Sequence, residues 1–422
     1  MSIDIDAPFR VSTDRYTEPE WATLEDRRLW PHAWQLACSL DHVAEPGDFF
    51  EHRIGWLSVL VVRGDDGVLR AFQNVCRHRG NPICQGSGAG LTELRCGFHR
   101  WCWDLRGELH EVPSRRGFGA MRNEEMPLFA ASVDTWGPMV FVHLDPEAAP
   151  LADYLEGVPE DIAWAGLEDF RCSTFVEVPV DANWKTAVDG FSETYHLQGL
   201  HREMLAVVDD VDTPQRLWDR HGKSMQRYGV PSPRLGAGVT DQQVWDAFIL
   251  VMGTRIGIPT DADPGPAPAV PEGSTLMSVI AEKVRAFQAT RGVDLAAFDD
   301  EQIMNIQQYN LFPNMTLLVY ADLVQVLRAR PGATPDDALL DGFFFDRHPA
   351  DDPAPRAKPL DVRLAPEDAD FGLVLNQDFA LLQRAQRGLH QPGLTHLTLS
   401  SEECRVINFH RNLDRVIGAS EV

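Results

Sequence analysis

Short apolar runs separated by turn residues make up the first 150 residues, a pattern typical of a small antiparallel β domain. The predicted strands are Trp34–Ser39, Trp56–Arg63, Val68–Asn74 and Val140–Leu144. An Asp-Asp-Gly turn at 65–67 separates the second strand from the third and predicts a β-hairpin. A helix is predicted over residues 17–30, where Trp21, Leu24 and Leu29 form an apolar side.

The remainder of the chain mixes helical spacing with strand-like runs and predicts an α+β domain. The predicted helices are a long one beginning at Asn183, then Ser274–Gly292, Leu373–Leu389 and a last helix whose capping box is Ser400-x-x-Glu403. The predicted strands are Phe175–Val180, Thr316–Arg330 and Leu339–Phe345. A Pro-containing linker at 146–160 separates the two parts, so we predict one domain over 1–160 and another over 161–422.

Composition and charge exclude several classes of partner. The 422 residues contain 38 Lys and Arg against 63 Asp and Glu, a net charge of −25, which argues against binding to nucleic acid or to an anionic membrane. The sequence contains no run of about 18 apolar residues, so no transmembrane helix is predicted. The first 16 residues lack a basic-then-apolar signal pattern, so we expect a cytoplasmic protein whose unassigned cysteines are free thiols.

Two pairs of metal-ligand residues stand between Cys76 and His99. Cys76 and His78 form a Cys-x-His pair, and Cys96 and His99 form a Cys-x-x-His pair. A zinc site would accept these residue types. A Rieske [2Fe–2S] centre fits the two pairs better, because there two Cys hold one iron and two His hold the other. Chance association of buried Cys and His is the third alternative, and two pairs so close together make it the weakest.

The segments CRHRG at 76–80 and CGFHRWCWDLRGEL at 96–109 resemble the cluster loops of Rieske-type aromatic ring-hydroxylating oxygenases, in the alpha (catalytic) subunit. The resemblance implies that Cys76, His78, Cys96 and His99 bind the cluster. The family usually has Gly after the second His, where this chain has Arg100, so we expect a slightly different backbone or surface contact there. Cys84 and Cys102 flank the ligands and are assigned packing roles.

A second candidate metal site includes His196 and His201. On a regular helix these side chains would point about 140° apart, so both reach one metal only if the helix is distorted or ends between them. Taken alone, such a pair is more often ordinary packing or surface His. An oxygenase also needs an open iron site, for which two His and one carboxylate suffice. We choose Asp378 as the carboxylate; its ordinary alternative is an acid near a helix N-terminus.

The family resemblance extends to this region. The segment DGFSETYHLQGLH at 189–201 resembles the iron motif of Rieske oxygenases, and QDFALLQRAQRGL at 377–389 resembles the segment with the third ligand. The resemblance implies that His196, His201 and Asp378 bind a mononuclear Fe(II) in a helix-grip (START-like) domain, whose curved antiparallel sheet surrounds the iron. It also implies that Glu193, where many relatives have Asp, bridges the two metal centres. Gly190 stands where many members have Asn.

The resemblance further implies the reaction. We expect a terminal oxygenase that uses O₂ and electrons from NAD(P)H, through a separate flavin reductase or ferredoxin, to hydroxylate or cis-dihydroxylate an apolar, aromatic or polycyclic small organic substrate. The alternatives are a monooxygenase or demethylase of a quaternary amine or methoxy compound, and a Rieske electron carrier without oxygenase activity. This chain lacks a G-x-G-x-x-G segment that opens a helix, so it is not expected to bind the nicotinamide itself.

Assembly and the substrate pocket complete the expectations. Ring-forming relatives imply a homotrimer, with or without a smaller β subunit, in which a neighbouring cluster serves each mononuclear iron. Apolar residues near the predicted iron site are expected to line the pocket. They are Phe191, Leu197, Phe248, Met252, Phe287, Phe312 and Met315.

Overall fold

Short apolar runs form strands that build the N-terminal half into sheets, as the sequence pattern predicted, and the strands β2 (Gln35–Ser39) and β11 (Met139–His143) are buried throughout. The computed structural model describes residues 8–349, 352, 354–365, 368 and 370–418. Two end segments lie outside the described residues. Residues 1–7 are part of the segment in which we expected no signal pattern, and residues 419–422 end the second predicted domain.

The N-terminal half consists of short strands after two short helices. Its elements are β1 (Phe9–Ser12), α1 (Asp14–Thr17), α2 (Pro19–Arg28), β2 (Gln35–Ser39), β3 (Phe49–Ile54), β4 (Leu57–Arg63), β5 (Leu69–Gln73), β6 (Ser87–Gly88), β7 (Leu94–Arg95), β8 (Cys102–Trp103), β9 (Leu109–Glu111), β10 (Ala130–Trp136) and β11 (Met139–His143). The order β2-β11-β10-β5-β4-β3-β6 forms one antiparallel sheet, and β7-β8-β9 forms a small second one. The predicted hairpin is β4 and β5, paired from Val59 with Gln73 to Arg63 with Leu69.

The C-terminal half places helices against one large sheet. Its elements are α3 (Leu151–Leu155), α4 (Val158–Ile162), β12 (Phe170–Val180), α5 (Trp184–Gly190), α6 (Leu197–Leu200), β13 (Val208–Asp209), β14 (Gln215–Leu217), β15 (Gly222–Tyr228), α7 (Asp241–Met252), α8 (Leu276–Thr290), α9 (Asp300–Met304), β16 (Ile306–Leu311), β17 (Met315–Val319), β18 (Leu323–Pro331), β19 (Ala338–Arg347), β20 (Leu360–Arg363), α10 (Leu373–Leu389), β21 (His396–Leu399) and α11 (Cys404–Ile417). The sheet order is β13-β15-β16-β17-β18-β19-β12-β20, with β14 beside β15. The predicted α+β class is therefore confirmed.

Three details differ from the predictions. The long helix expected from Asn183 is wrong, because α5 ends at Gly190 and the chain turns before α6 begins. The run 316–330 is two strands, β17 and β18, rather than one. The large sheet is mixed rather than purely antiparallel, because β20 pairs with β12 in parallel.

Two buried arginines of β18, Arg328 and Arg330, join the two sheets through hydrogen bonds to backbone carbonyls of the N-terminal half. Arg328 on β18 donates hydrogen bonds to the backbone carbonyls of Leu36 and Ala37, and its guanidinium pairs with Asp341 at 2.7 Å. Arg330 pairs with the same carboxylate at 2.6 Å.

The N-terminal strand β1 pairs with β21, so the N-terminal and C-terminal regions of the described chain also meet. The boundary at 160/161 stays a prediction. Among the described residues, no helix combines the length and the apolar character needed to cross a bilayer.

Candidate metal centres and substrate cavity

The two cluster loops share one backbone geometry. The carbonyl of Cys76 accepts a hydrogen bond from the N–H of Gly80 at 2.9 Å, and the carbonyl of Cys96 accepts one from Arg100 at 3.1 Å. Both loops therefore close four residues after their Cys, and both closing residues have positive φ, +75° at Gly80 and +63° at Arg100. Glycine adopts this conformation most readily. Arg100 thus keeps the left-handed backbone that a glycine would provide.

The side chains of these loops form a compact set. Cys76 and Cys96 are almost fully buried. Burial is the main cause that raises the pKa of Cys76, and the neighbouring Cys96 thiol also raises it. The rings of His78 and His99 have centroids 4.6 Å apart. Among the described residues, buried Nδ1 of His78 has no hydrogen-bond partner. Two thiols, two adjacent imidazoles and an unsatisfied ring nitrogen are a donor set that fits a Rieske cluster.

A third compact group of metal-ligand residue types lies on the small sheet, formed by Glu93, Cys102 and His110. Arg95 occupies both oxygens of the Glu93 carboxylate, at 2.6 and 3.1 Å, and lowers the pKa of that acid to about 2. Because an ion pair already uses its only carboxylate, this group is poorly suited to a metal. Cys102 is buried, in keeping with its expected packing role.

The structure brings His196, His201 and Asp378 together. One possible ligand atom of each lies within 4.8 Å of the other two. Oδ1 of Asp378 is 2.9 Å from Nε2 of His201 and 3.9 Å from Nε2 of His196. Ligand atoms about 2 Å from one metal and at right angles to each other are about 3 Å apart. The three side chains therefore fit the 2-His-1-carboxylate arrangement that leaves iron positions open.

Local folding explains how two His five residues apart converge. His196 is the N-cap of α6 and His201 is its C-cap, so the helix between them has only four residues. Both His lie where regular helical geometry ends, which relieves the 140° separation expected on a longer helix. Asp378 comes from α10, which packs beside α5.

Each His also contacts a second acceptor through Nδ1. Oε1 of Glu193 lies 2.5 Å from Nδ1 of His196, and the other carboxylate oxygen accepts the backbone N–H of His196 at 2.9 Å. Glu193 itself lies outside any helix, in the turn between α5 and α6. Oε1 of Gln377 lies 2.7 Å from Nδ1 of His201. Gln377 was not among the predicted site residues, although its position directly before Asp378 was the available signal.

Burial and charge act in opposite directions on His201. Burial lowers the pKa of His201. The hydrogen bond to Asp378 and the charge of that carboxylate together raise it by more than burial lowers it, so the pKa lies above its ordinary value. Protons and a metal ion therefore compete for the same ring nitrogen.

A cavity of about 210 Å³ opens beside the three metal-ligand side chains. Of the predicted wall residues, Phe191, Leu197 and Met252 line it. The prediction is wrong for four others, which belong to the core or to other surfaces instead: Phe248, Phe287, Phe312 and Met315. Periodicity marks these residues as apolar but does not tell which side of the sheet each one faces. Gly190 also lines the cavity, and its missing side chain leaves space there.

The wall combines aromatic rings with one guanidinium. The rings belong to Phe191, Tyr228, Tyr320, Phe344 and Phe371. Arg255 is 3% exposed, and its Nε and Nη2 donate to Asp322 at 3.2 and 2.5 Å. Nη1 of Arg255 has no partner within the described part of the chain. The wall therefore contains aromatic rings and a guanidinium that lies over the Tyr320 ring, 4.3 Å from its centroid, and whose Nη1 makes no hydrogen bond to the described residues.

Comparison with known families agrees with this two-centre arrangement. Residues 33–129 match the family described as "Rieske [2Fe-2S] domain", and residues 163–419 match "Ring hydroxylating alpha subunit (catalytic domain)". The second match covers more than half of the chain. The chain belongs to the Rieske oxygenase alpha-subunit family. Its cofactors are a Rieske [2Fe–2S] cluster and a mononuclear iron, which removes the zinc alternative.

Similar proteins of this family act on different substrates. The chain is 29% identical over 208 residues to the glycine betaine monooxygenase oxygenase subunit of Chromohalobacter salexigens. This alignment covers 47% of this chain and 45% of that protein. It is 27% identical over 220 residues to the carnitine monooxygenase oxygenase subunit of Escherichia coli K12, covering 52% and 58%. The alignments thus span about half the length of these relatives.

Solved structures of Rieske oxygenases share the fold. A quaternary ammonium Rieske monooxygenase in complex with L-carnitine has a TM-score of 0.68 at 16% identity, covering 97% of this chain and 96% of that chain. Naphthalene 1,2-dioxygenase from Rhodococcus sp. bound to indole has a TM-score of 0.65 at 18% identity, covering 97% and 95%. At these identities the similarity shows the fold alone.

Proposed function

We propose that this chain is the terminal oxygenase of a Rieske system and oxidises a quaternary amine that also has a carboxylate. The observation that carries the proposal is the cavity beside His196, His201 and Asp378, whose wall joins aromatic rings to Arg255. Relatives named as glycine betaine and carnitine monooxygenases support this substrate class over the apolar aromatic one expected first.

The metal-binding roles are part of the proposal. Cys76, His78, Cys96 and His99 hold the cluster, and His196, His201 and Asp378 hold the mononuclear iron. When bound, the two centres supply stored electrons and reductive activation of O₂. Glu193 keeps the proton on Nδ1 of His196, so that Nε2 is free to coordinate. The protein thus prepares the site by keeping Nε2 of each His free of a proton and available to the metal.

The cavity residues would orient the substrate. The two carboxylates of the wall, Glu193 and Asp378, are already engaged by His196 and His201. Aromatic ring faces are therefore the groups left for a quaternary ammonium, which they attract through the ring quadrupole. Nη1 of Arg255 would donate to a substrate carboxylate, since a guanidinium prefers that anion.

The overall reaction balances as a monooxygenation. One oxygen atom enters a C–H bond next to the ammonium nitrogen, and the other leaves as water with two electrons and two protons. The hydroxylated carbon then breaks its C–N bond and releases an amine and a carbonyl compound. Electrons come from NAD(P)H through a separate flavin reductase, with or without a ferredoxin, and we propose a homotrimer as the active assembly.

A substrate panel tests this proposal. The oxygenase, supplied with a Rieske-system reductase, NADH and O₂, is assayed with glycine betaine, carnitine, choline and naphthalene. We expect O₂ and NADH consumption coupled to amine release with a carboxylate-bearing quaternary amine, and little with choline, which lacks the carboxylate. Product formation from naphthalene alone would restore the aromatic hydroxylase as the function. Reduction of the cluster without any product would indicate an electron carrier.

A further inference from the structure

His201 is held on both ring nitrogens by consecutive residues of one helix. Its Nδ1 lies 2.7 Å from Oε1 of Gln377, and its Nε2 lies 2.9 Å from Oδ1 of Asp378. The ring is 2% exposed. Neighbouring residues on a helix are rotated by about 100°, so Gln377 and Asp378 can approach one imidazole from two directions.

The type of the Gln377 contact determines the tautomer of His201. An amide oxygen only accepts hydrogen bonds, so Nδ1 must carry the proton that it donates. Nε2, on the side of Asp378, is then the nitrogen available to a metal. We propose that Gln377 is a positioning residue, which fixes the ring and the tautomer in which His201 binds iron. The inference rests on the iron site in the proposed function.

The two His of the site have chemically different acceptors. Nδ1 of His196 faces the Glu193 carboxylate at 2.5 Å, whereas Nδ1 of His201 faces a neutral amide. A carboxylate makes its imidazole a stronger donor to the metal than an amide does. Because a neutral amide faces His201, the site has one carboxylate fewer than a site in which carboxylates face both His. The smaller negative charge favours Fe(II) over Fe(III). Gln377 therefore also helps to keep the iron reducible.

Two substitutions at this position separate positioning from charge. Gln377→Leu removes the acceptor at similar size. Gln377→Glu keeps an acceptor and adds a charge. Gln383→Leu is the matched control, because Gln383 lies on the same helix and contacts Asp181 at the surface, away from the metal-ligand residues.

The measurement is Fe(II) binding to the full chain without substrate, by competition with a chelator. We expect Gln377→Leu to bind Fe(II) about 10- to 100-fold more weakly, as loss of such a partner typically does. Gln383→Leu should bind as the unchanged protein does. Gln377→Glu should retain or strengthen binding and lower the reduction potential of the mononuclear iron. The Rieske EPR signal and the melting temperature report that cluster and fold are intact.

Three outcomes would overturn the proposal. One is Fe(II) binding of Gln377→Leu equal to that of the unchanged protein. Another is an equal loss of binding in Gln383→Leu. If Gln377→Leu does not fold, Gln377→Glu decides, and weakened binding in that variant overturns the proposal. Full Fe(II) binding by His201→Ala would instead show that the proposed iron site is wrong, and failure on the substrate panel would leave this result untouched.

Discussion

The Glu193 carboxylate lies 2.5 Å from Nδ1 of His196, although no helix holds the two residues in register. A turn between α5 and α6 brings them together, and the second oxygen of Glu193 accepts the His196 backbone N–H. His196 is thus fixed both through its ring and through its backbone. The contact is suited to a bridging acid, whose free lone pairs can accept a further N–H from a cluster ligand of a neighbouring subunit.

Glu193→Gln tests the bridge. The substitution keeps the size of the side chain but removes the charge and one acceptor oxygen. We expect both metal sites to stay loaded while electron transfer between them slows by at least roughly tenfold, about 1.4 kcal/mol in a barrier. A single turnover with pre-reduced cluster, O₂ and substrate measures this rate. Glu203→Gln, at an exposed neighbouring acid, is the control. Cluster reoxidation by Glu193→Gln at the unchanged rate would eliminate Glu193 as the bridge.

Cys96→Ser tests the cluster assignment. Serine is a poor ligand for cluster iron, so the variant should lose the visible and EPR spectra of a Rieske centre. Cys84→Ser serves as the comparison, since Cys84 lies close in sequence to the first cluster loop but has only a packing role in our assignment. We expect it to keep the full spectrum. A full Rieske signal in Cys96→Ser would refute the ligand set.

His201→Ala and Asp378→Ala test the mononuclear site. Each should lose one iron per chain and product formation while the Rieske spectrum remains, because the two donor sets share no residue. Iron analysis together with EPR measures both centres in one sample. His390→Ala changes a partly exposed His outside the site and should retain all iron. Undiminished iron in either test variant would remove that residue from the ligand set.

The charge around the cluster loops bears on assembly. Residues 76–122 contain eight Arg, no Lys and four acids, a net charge of +4 in a chain with −25 overall. Arg106 pairs with Asp65 and Asp66, and Arg122 pairs with Glu125, so the positive charge that can attract an acidic surface of another copy comes from Arg77, Arg79, Arg100, Arg115 and Arg116. We therefore expect a cyclic homotrimer by light scattering at moderate salt, with smaller species increasing as salt screens these charges. A fully active monomer at assay concentration would exclude the ring.

Asp341→Ala tests the buried ion pairs of the two arginines that join the sheets. The pKa of Asp341 is raised by burial but lowered more by Arg328 and Arg330, and it ends below its ordinary value. Its contribution to stability is therefore complete above about pH 4, the usual Asp value, and is lost as pH falls through the lower folded-state pKa. Removing the carboxylate takes away the carboxylate partner of the buried Arg328 guanidinium and leaves Arg330 with Glu177 alone, for which we expect a loss of about 3–5 kcal/mol.

Chemical denaturation at neutral pH measures this loss. Asp346→Ala, on the same strand, removes only a long, partly exposed pair with Arg291 and should change stability by under about 0.5 kcal/mol. Equal stability of both variants would show that the buried triad contributes no more than the surface pair.

The sequence by itself determined the features that depend on local spacing. The four proposed cluster ligands lie within 24 residues, and each pair sits on its own short loop, so the sequence pattern carried almost all of that geometry. The helix predicted over Leu373–Leu389 is α10 with the same bounds, because its apolar residues recur at helical spacing. The capping box at Ser400 and Glu403 likewise precedes α11.

Only the tertiary structure decided which distant side chains meet. Asp378 reaches His201 across 177 residues of sequence, and Gln377 reaches the same ring because α10 lies against the turn after α5. The break after Gly190 interrupts a continuous helical pattern, and the two His stand at the ends of the short helix α6. Which apolar residues face the cavity depends on how the sheet curves and how the helices cover it. Spacing along the chain does not encode those long-range contacts.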